Sequence, residues 1–230
     1  IGLVGISFAG GLSIVAAARP ALRDKIAFTV SFGGHGDFQR VLRYLCTGIQ
    51  PDGSFLRPHD YGVVIILLNL ADRIVPPGQV APLRQALLTF LRASHVSIVD
   101  RKRARQMFTD AARQGRALQE PARTLMGYVT TRNVDALGNE LLPFITEFGL
   151  EPSLSPERTP APPTPVHLLH GSGDNVIPAM ESTHLAGYLR TRGAPVHLLL
   201  SPLITHAELN HRPGIVDMWN LVAFWGRLEW

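Results

Sequence analysis

The stretch Ile1-Gly2-Leu3-Val4-Gly5-Ile6-Ser7-Phe8-Ala9-Gly10-Gly11 runs a short apolar segment into a serine set among small residues. An apolar run that ends abruptly at glycine predicts a buried strand over residues 1–5. Phe8 to Ala18 has helical composition and is stopped by Pro20. Lys25 to Phe32, "KIAFTVSF", is rich in β-branched and aromatic residues and predicts a second buried strand, closed by Gly33-Gly34. Strand, helix and strand follow one another at the spacing of a right-handed parallel crossover. The fold class expected is therefore α/β, with a parallel sheet that starts at Ser7's own strand.

From Phe38 the texture changes. The segments "FQRVLRYLCTG", "YGVVIILLNLADRIV", "QVAPLRQALLTFLRAS", "KRARQMFTDAARQGRAL" and "VDALGNELLPFITEFG" carry apolar residues at three- and four-residue spacing, which predicts helix after helix. So long a helical block between strands is more than a connection, and residues 38–150 are expected to form an inserted helical subdomain. Glu151 to Pro165, "EPSLSPERTPAPPTP", is dense in proline and is expected to be a stiff linker. Sheet texture then resumes. "PVHLLHGSGDNVIP" predicts a strand and polar loop, "AMESTHLAGYLRTRG" a helix, "PVHLLL" a strand and "GIVDMWNLVAFWGRL" a final helix. Residues 1–37 and 160–230 would together form the α/β core.

Composition narrows the functions available. Of the 230 residues 46% are hydrophobic and 17% charged, enough apolar material for a core and too little charge for global disorder. The net charge is +4, and the one basic cluster, Arg101-Lys102-Arg103-Ala104-Arg105, has no interleaved aromatics. It reads as a solvated helix start, and a nucleic-acid function is not expected. The single cysteine, Cys46, excludes an internal disulfide framework and leaves the compartment open. The longest apolar run, Val63 to Ala71 interrupted by Asn69, is short of the ~20 residues a spanning helix needs. Neither oligomeric state nor localisation follows from these numbers.

Three loop residues carry the chemistry. Ser7 follows the first strand, Asp174 follows the strand Val166–Leu169, and His206 follows the strand Val196–Leu200. In a parallel sheet all three loops leave the carboxyl ends of their strands, where open α/β sheets place their sites. A serine hydroxyl is a poor nucleophile until a base lies within hydrogen-bond reach and a third group fixes that base's tautomer. Ser7 as nucleophile, His206 as base and Asp174 as orienting acid meet that need. Small residues at Gly5 and Ala9 would let the turn pass close to its neighbours, and the Phe8 amide at the helix start would point at a developing oxyanion.

These motifs resemble those of α/β-hydrolase-fold serine hydrolases of the esterase/lipase and dienelactone-hydrolase type. "GISFAGG" is similar to the nucleophile elbow, "LLHGSGDNVIP" to the acid loop and "ITHAEL" to the histidine loop. The resemblance covers about residues 1–35 and 160–230, and one departure is Ala9 where the elbow commonly has glycine. It implies an acyl-enzyme ester hydrolase with the triad Ser7, Asp174 and His206, a helical lid at 38–150, a small-molecule ester or acyl substrate and no cofactor. It also implies that the chain corresponds to the C-terminal half of such an enzyme, the second oxyanion donor lying upstream. Two alternatives stand beside it: a serine peptidase or acyltransferase with the same triad, and a non-catalytic module binding an apolar ligand or a partner.

Each role has competitors. Asp37, in "FGGHGD", lies just past the second strand and is the alternative acid. His35 and His211 are rivals to His206, whereas His167 and His170 belong to the strand before Asp174. Ser13 falls within a helix and Ser31 within a strand, and Glu208 reads as solvated. No metal site is expected, because the histidines form no H-E-x-x-H pattern and no carboxylates cluster at ligand spacing. "GISFAGG" lacks the Lys-Ser/Thr of a phosphate-binding loop.

Overall fold

The computed structural model describes residues 1–147, 149–204 and 214–228. Four strands, β1 (Gly2–Ile6), β2 (Phe28–Phe32), β3 (Val166–Gly171) and β4 (Val196–Ser201), form one sheet in the order β1-β2-β3-β4. All three pairings are parallel. The chain is therefore α/β, with helices α1 (Phe8–Ala17), α8 (Ala179–Thr191) and α9 (Ile215–Trp225) following β1, β3 and β4. Between β2 and β3 lie α2 (Phe38–Thr47), α3 (Asp60–Ile74), α4 (Pro77–Val96), α5 (Arg101–Arg116), α6 (Ala122–Thr130) and α7 (Val134–Ile145).

Two compact units result. The first comprises residues 1–42, 49–57 and 146–230 and contains the sheet; the second comprises 43–48 and 58–145 and is helical. The division differs in detail from the boundaries expected at 37/38 and 150/151, because the first residues of α2 and the segment Ile49–Arg57 group with the sheet.

In the sheet unit β3 is buried along its whole length. Ile14 of α1 and Leu185, Ala186 and Leu189 of α8 pack with Val166 and Leu168 on one face. Phe224 of α9 packs with Leu169, Leu203 and Ile204 in a second cluster. β1 departs from the fully buried strand expected. It is an edge strand, paired to β2 alone, and its register puts Val4 and Ile6 opposite Val30 and Phe32. Val4 and Ile6 are 63% and 55% exposed.

Residues 151–165, expected to be a stiff linker, are folded in part. Two 3-10 turns, Pro152–Leu154 and Pro156–Arg158, fold this segment onto the sheet unit, with Ser155 and Pro156 buried. The Ser155 hydroxyl accepts from the Phe38 amide at 2.9 Å, and the Glu157 amide donates to the Gly36 carbonyl at 3.0 Å. Proline fixes φ in both turns and so lowers the entropy lost on docking.

The helical unit has an apolar core. Leu67 and Leu70 of α3, Leu83, Leu87 and Phe90 of α4, Met126 of α6 and Leu137 and Leu141 of α7 are all essentially inaccessible to solvent. Close backbone approach within it depends on glycine at Gly138, where a Cβ would collide with the Cys46 carbonyl.

Candidate active site

The turn between β1 and α1 is built around Ser7. Its amide donates to the Phe32 carbonyl at 2.7 Å, and its own carbonyl accepts from Gly10 at 2.8 Å. Ser7 is the N-cap of α1 and has φ 57° and ψ −132°, a conformation that costs a non-glycine residue about 1–3 kcal/mol. Such a backbone persists only where the surroundings dictate it, and here they do. A Cβ on Gly5 would collide with the Ala9 carbonyl, and one on Gly10 would fall 2.7 Å from the Ser31 hydroxyl. Small residues on both sides of Ser7 thus hold the first turn of α1 tightly against β2 and the loop after it. The Phe8 and Ala9 amides lie in that first turn, where a helix leaves its N–H groups without intrahelical acceptors.

The Phe8 side chain is fixed from two sides. The His35 ring stacks on it at 4.6 Å between centroids and 5° between planes, and Phe38 meets it edge-on at 4.8 Å. His35 is fully buried and donates from Nε2 to the Leu154 carbonyl at 2.7 Å. That bond places the proton on Nε2 and leaves Nδ1 a lone pair with no hydrogen-bond partner. Burial, the largest influence, holds the His35 pKa below the usual histidine value, against the bond to Leu154 that raises it.

Asp174 is 1% exposed at the carboxyl end of β3. Its Oδ1 accepts from the Val176 and Ile177 amides at 2.8 and 3.0 Å, which pins the loop on its own carboxylate. Oδ2 points towards the carboxyl end of β2, where a side chain on Gly33 would begin 3.6 Å away. Gly33 itself has φ +61°, a conformation that favours glycine. Gly33 follows Phe32, the residue that receives the Ser7 amide, so the Ser7 turn and the Asp174 carboxylate flank the same strand end.

His170 stands behind Asp174, with its Nε2 3.4 Å from Oδ2. Nε2 also donates to the Ile177 carbonyl at 2.8 Å, so Nδ1 accepts from the Ser182 hydroxyl at 2.6 Å. A ring satisfied at both nitrogens braces the acid loop. His206, the base expected from the sequence, its rival His211 and the neighbouring Glu208 lie outside the described residues.

Asp37, the alternative acid, has both oxygens engaged elsewhere. Oδ1 accepts from the Arg40 amide at 3.0 Å, and Oδ2 pairs with Arg158 at 2.8 Å. Asp37 therefore serves the start of α2. Ser13 donates to the Gly10 carbonyl within α1, and Ser31 is buried in β2, so neither is presented as a nucleophile. Among the described residues no group of three or more His, Cys, Asp or Glu could hold a metal ion.

The loop after β2 is held by a partly buried ionic network that the sequence did not announce. Arg40 donates from Nε and Nη2 to Glu181 at 2.6 and 2.9 Å, and from Nη1 and Nη2 to Glu157 at 2.9 and 2.8 Å. Glu181, 1% exposed, also accepts from the Gly36 and Asp37 amides at 3.0 and 3.1 Å. Burial opposes the Arg40 charge, but the two carboxylates outweigh it and raise the Arg40 pKa. The network thus fixes residues 36 and 37, next to the His35 that stacks on Phe8.

No family model and no curated protein matches the sequence. Among solved structures the chain is similar to the rice cell wall degrading esterase LipA from Xanthomonas oryzae, at 14% identity and a TM-score of 0.47, covering 99% of this chain and 57% of that one. It is also similar to a mutant of the esterase E22, at 14% identity and a TM-score of 0.39, covering 99% of this chain and 60% of that one. The chain thus spans less than two thirds of the length of either protein. Likenesses this distant leave the reading of the site to the residues themselves.

Proposed function

We propose that the sheet unit is an α/β-hydrolase-type core and that the protein is a serine hydrolase cleaving a carboxylic ester through an acyl-enzyme. The observation that carries this reading is the backbone of Ser7, a non-glycine residue at φ 57° and ψ −132° on a strand-to-helix turn. A serine needed only as a small N-cap would take the ordinary extended conformation and use its side chain to cap the helix. Ser7 does neither: its hydroxyl makes no capping bond to the helix. Strain of this kind is maintained where it lifts a side chain out of the turn towards a reactant.

In this reading Ser7 Oγ attacks the ester carbonyl and His206 takes the hydroxyl proton. The Phe8 amide donates to the oxyanion, and the alcohol leaves with the proton returned by His206. Water, deprotonated by His206, then releases the acid. Asp174 holds the His206 tautomer, and His170 and the amides of Val176 and Ile177 hold Asp174. The stack of Phe8 between His35 and Phe38 keeps the Phe8 amide aimed.

The test is labelling of the full chain with a fluorophosphonate probe and turnover of nitrophenyl esters. Ser7→Ala is expected to abolish labelling and to lower turnover by about 10⁴-fold or more, with the circular dichroism spectrum unchanged. Labelling that survives Ser7→Ala would overturn the assignment.

A further inference from the structure

The exposed surface of the helical unit is uneven, and the unevenness centres on the connection between α4 and α5. These two helices form a hairpin joined by Ser97–Asp100. At its tip Ile98 and Val99 are 69% and 85% exposed. The other large apolar side chains exposed in this unit, Ile65 and Leu88, reach only 41% and 37%. Turns are ordinarily polar, so two adjacent β-branched residues in solvent are costly unless something covers them.

The charges around this pair are of one sign. Arg101, Lys102, Arg103 and Arg105 follow directly on α5 and are all exposed, and Arg92 lies on the last turns of α4. None of the five has an ion-pair partner among the described residues. The nearest carboxylate in sequence, Asp100, caps α5 by accepting from the Arg103 amide at 2.9 Å. The next, Asp110, is paired with Arg113 at 2.8 Å. α4 contains no acidic residue.

We propose that the α4–α5 tip is a peripheral docking surface for an anionic lipid bilayer. Ile98 and Val99 enter the headgroup region, while Arg101, Lys102, Arg103 and Arg105 meet the lipid phosphates. The pairing of features selects this partner. A cationic patch alone would suit any polyanion, but a nucleic-acid backbone offers nothing to Ile98 and Val99, and the tip has no Phe, Tyr or Trp to stack on a base. A bilayer interface satisfies both, since apolar burial and attraction to anionic headgroups act together there. No described helix is long and apolar enough to cross a membrane, so the contact is one of surface docking.

Co-sedimentation of the full chain with phosphatidylcholine vesicles, with and without phosphatidylserine, tests this. Binding is expected only when phosphatidylserine is present, and it should weaken as salt rises. Each cation near such a surface is worth about fivefold in partitioning, so Arg101→Gln/Lys102→Gln/Arg103→Gln together should lower binding by about 100-fold. Ile98→Ser/Val99→Ser should lower it by about tenfold with the salt dependence kept. Arg19→Gln/Arg23→Gln/Lys25→Gln, the same charge removed from an exposed segment of the sheet unit, should leave it unchanged. Equal binding to both vesicle types would overturn the proposal. So would equal losses from the two triple variants, or binding indifferent to Ile98 and Val99. Binding to duplex DNA that matches the vesicles would mark the tip as a general polyanion surface and overturn it too. Circular dichroism of each variant separates lost docking from lost folding.

Discussion

The two units of this protein bury different things. In the helical unit the buried core is apolar apart from Tyr44 and Cys46. In the sheet unit the interior also holds Thr29, Ser31, His35, Ser155, His167, His170, Asp174, Glu181, Ser182 and Ser201. A buried polar group costs about 1–3 kcal/mol unless it is hydrogen-bonded, so a fold accumulates such groups only where they hold something in place. Here His35, Ser155, His170, Asp174, Glu181 and Ser182 hold the loops that follow β2 and β3. The helical unit draws its stability from packing; the sheet unit uses part of its interior to fix backbone.

If that contrast is correct, single changes in the two units should fail differently. The largest effect is expected at Glu181. Glu181→Ala leaves two loop amides without their acceptor and takes from the half-buried Arg40 one of its two carboxylates, and should cost about 3 kcal/mol in urea unfolding. It should also lower fluorophosphonate labelling, because residues 36 and 37 are released beside His35. A loss below about 1 kcal/mol, with labelling intact, would show that the network is incidental to the site.

In the helical unit Leu87→Ala should cost about 3 kcal/mol through transfer and cavity terms. A readout in the same unit is Cys46, whose thiol pKa burial pushes up to about 12. Alkylation of Cys46 at mild alkaline pH is expected to be slow in the native protein and faster in Leu87→Ala, while phosphonate labelling is unchanged. Equal disturbance of both labels would break the distinction between the units.

A smaller effect concerns pH. The His35 pKa is held below the ordinary value of 6.5 by burial, so below that pH the unfolded chain takes up a proton that the native state refuses. The stability this histidine contributes is complete above pH 6.5 and falls as pH drops towards its native pKa, by at most about 1.4 kcal/mol per pH unit. His167 is lowered likewise, by burial first and then by His197 and Arg227. His35→Phe, which can keep the stack on Phe8, should flatten the slope between pH 6.5 and 5 by up to half. An unchanged slope would remove His35 from the pH response.

The order of strands and the class of fold were legible because parallel strands buried on both faces read as continuous apolar runs. β2 and β3 are such runs, β4 is a half-buried edge strand whose apolar stretch reads the same way, and five of the six helices between β2 and β3 announced themselves by periodicity. α6, "ARTLMGYVT", did not, being short and interrupted by glycine and β-branched residues. The tight turn at Ser7 was legible from its small neighbours, since close packing at Gly5 and Gly10 is what those residues permit. The stack of His35 on Phe8 was not, because ring orientation has no sequence signature. Nor was the Arg40 network, whose partners are separated by 117 and 141 positions. The proline-dense segment misled for a related reason: stiffness is visible in composition, whereas the surface that a stiff segment docks on is not.

The position of the helical unit in the chain has a consequence for how the protein reaches its native state. β2 and β3 are neighbours in the sheet, yet the whole of α2 to α7 is threaded between them. Their pairing closes a very long loop, and the entropy of closure must be spent before any hydrogen bond of that ladder is gained. The cost grows only logarithmically, about 0.6 kcal/mol per doubling of length, so the insertion is cheap for the finished structure. Its burden falls on the folding rate, which depends on the sequence distance of contacts. Helices that assemble from near neighbours can shorten that distance in advance by drawing residues 32 and 166 together. The central ladder is then expected to zip late, after the hairpins of the helical unit have formed.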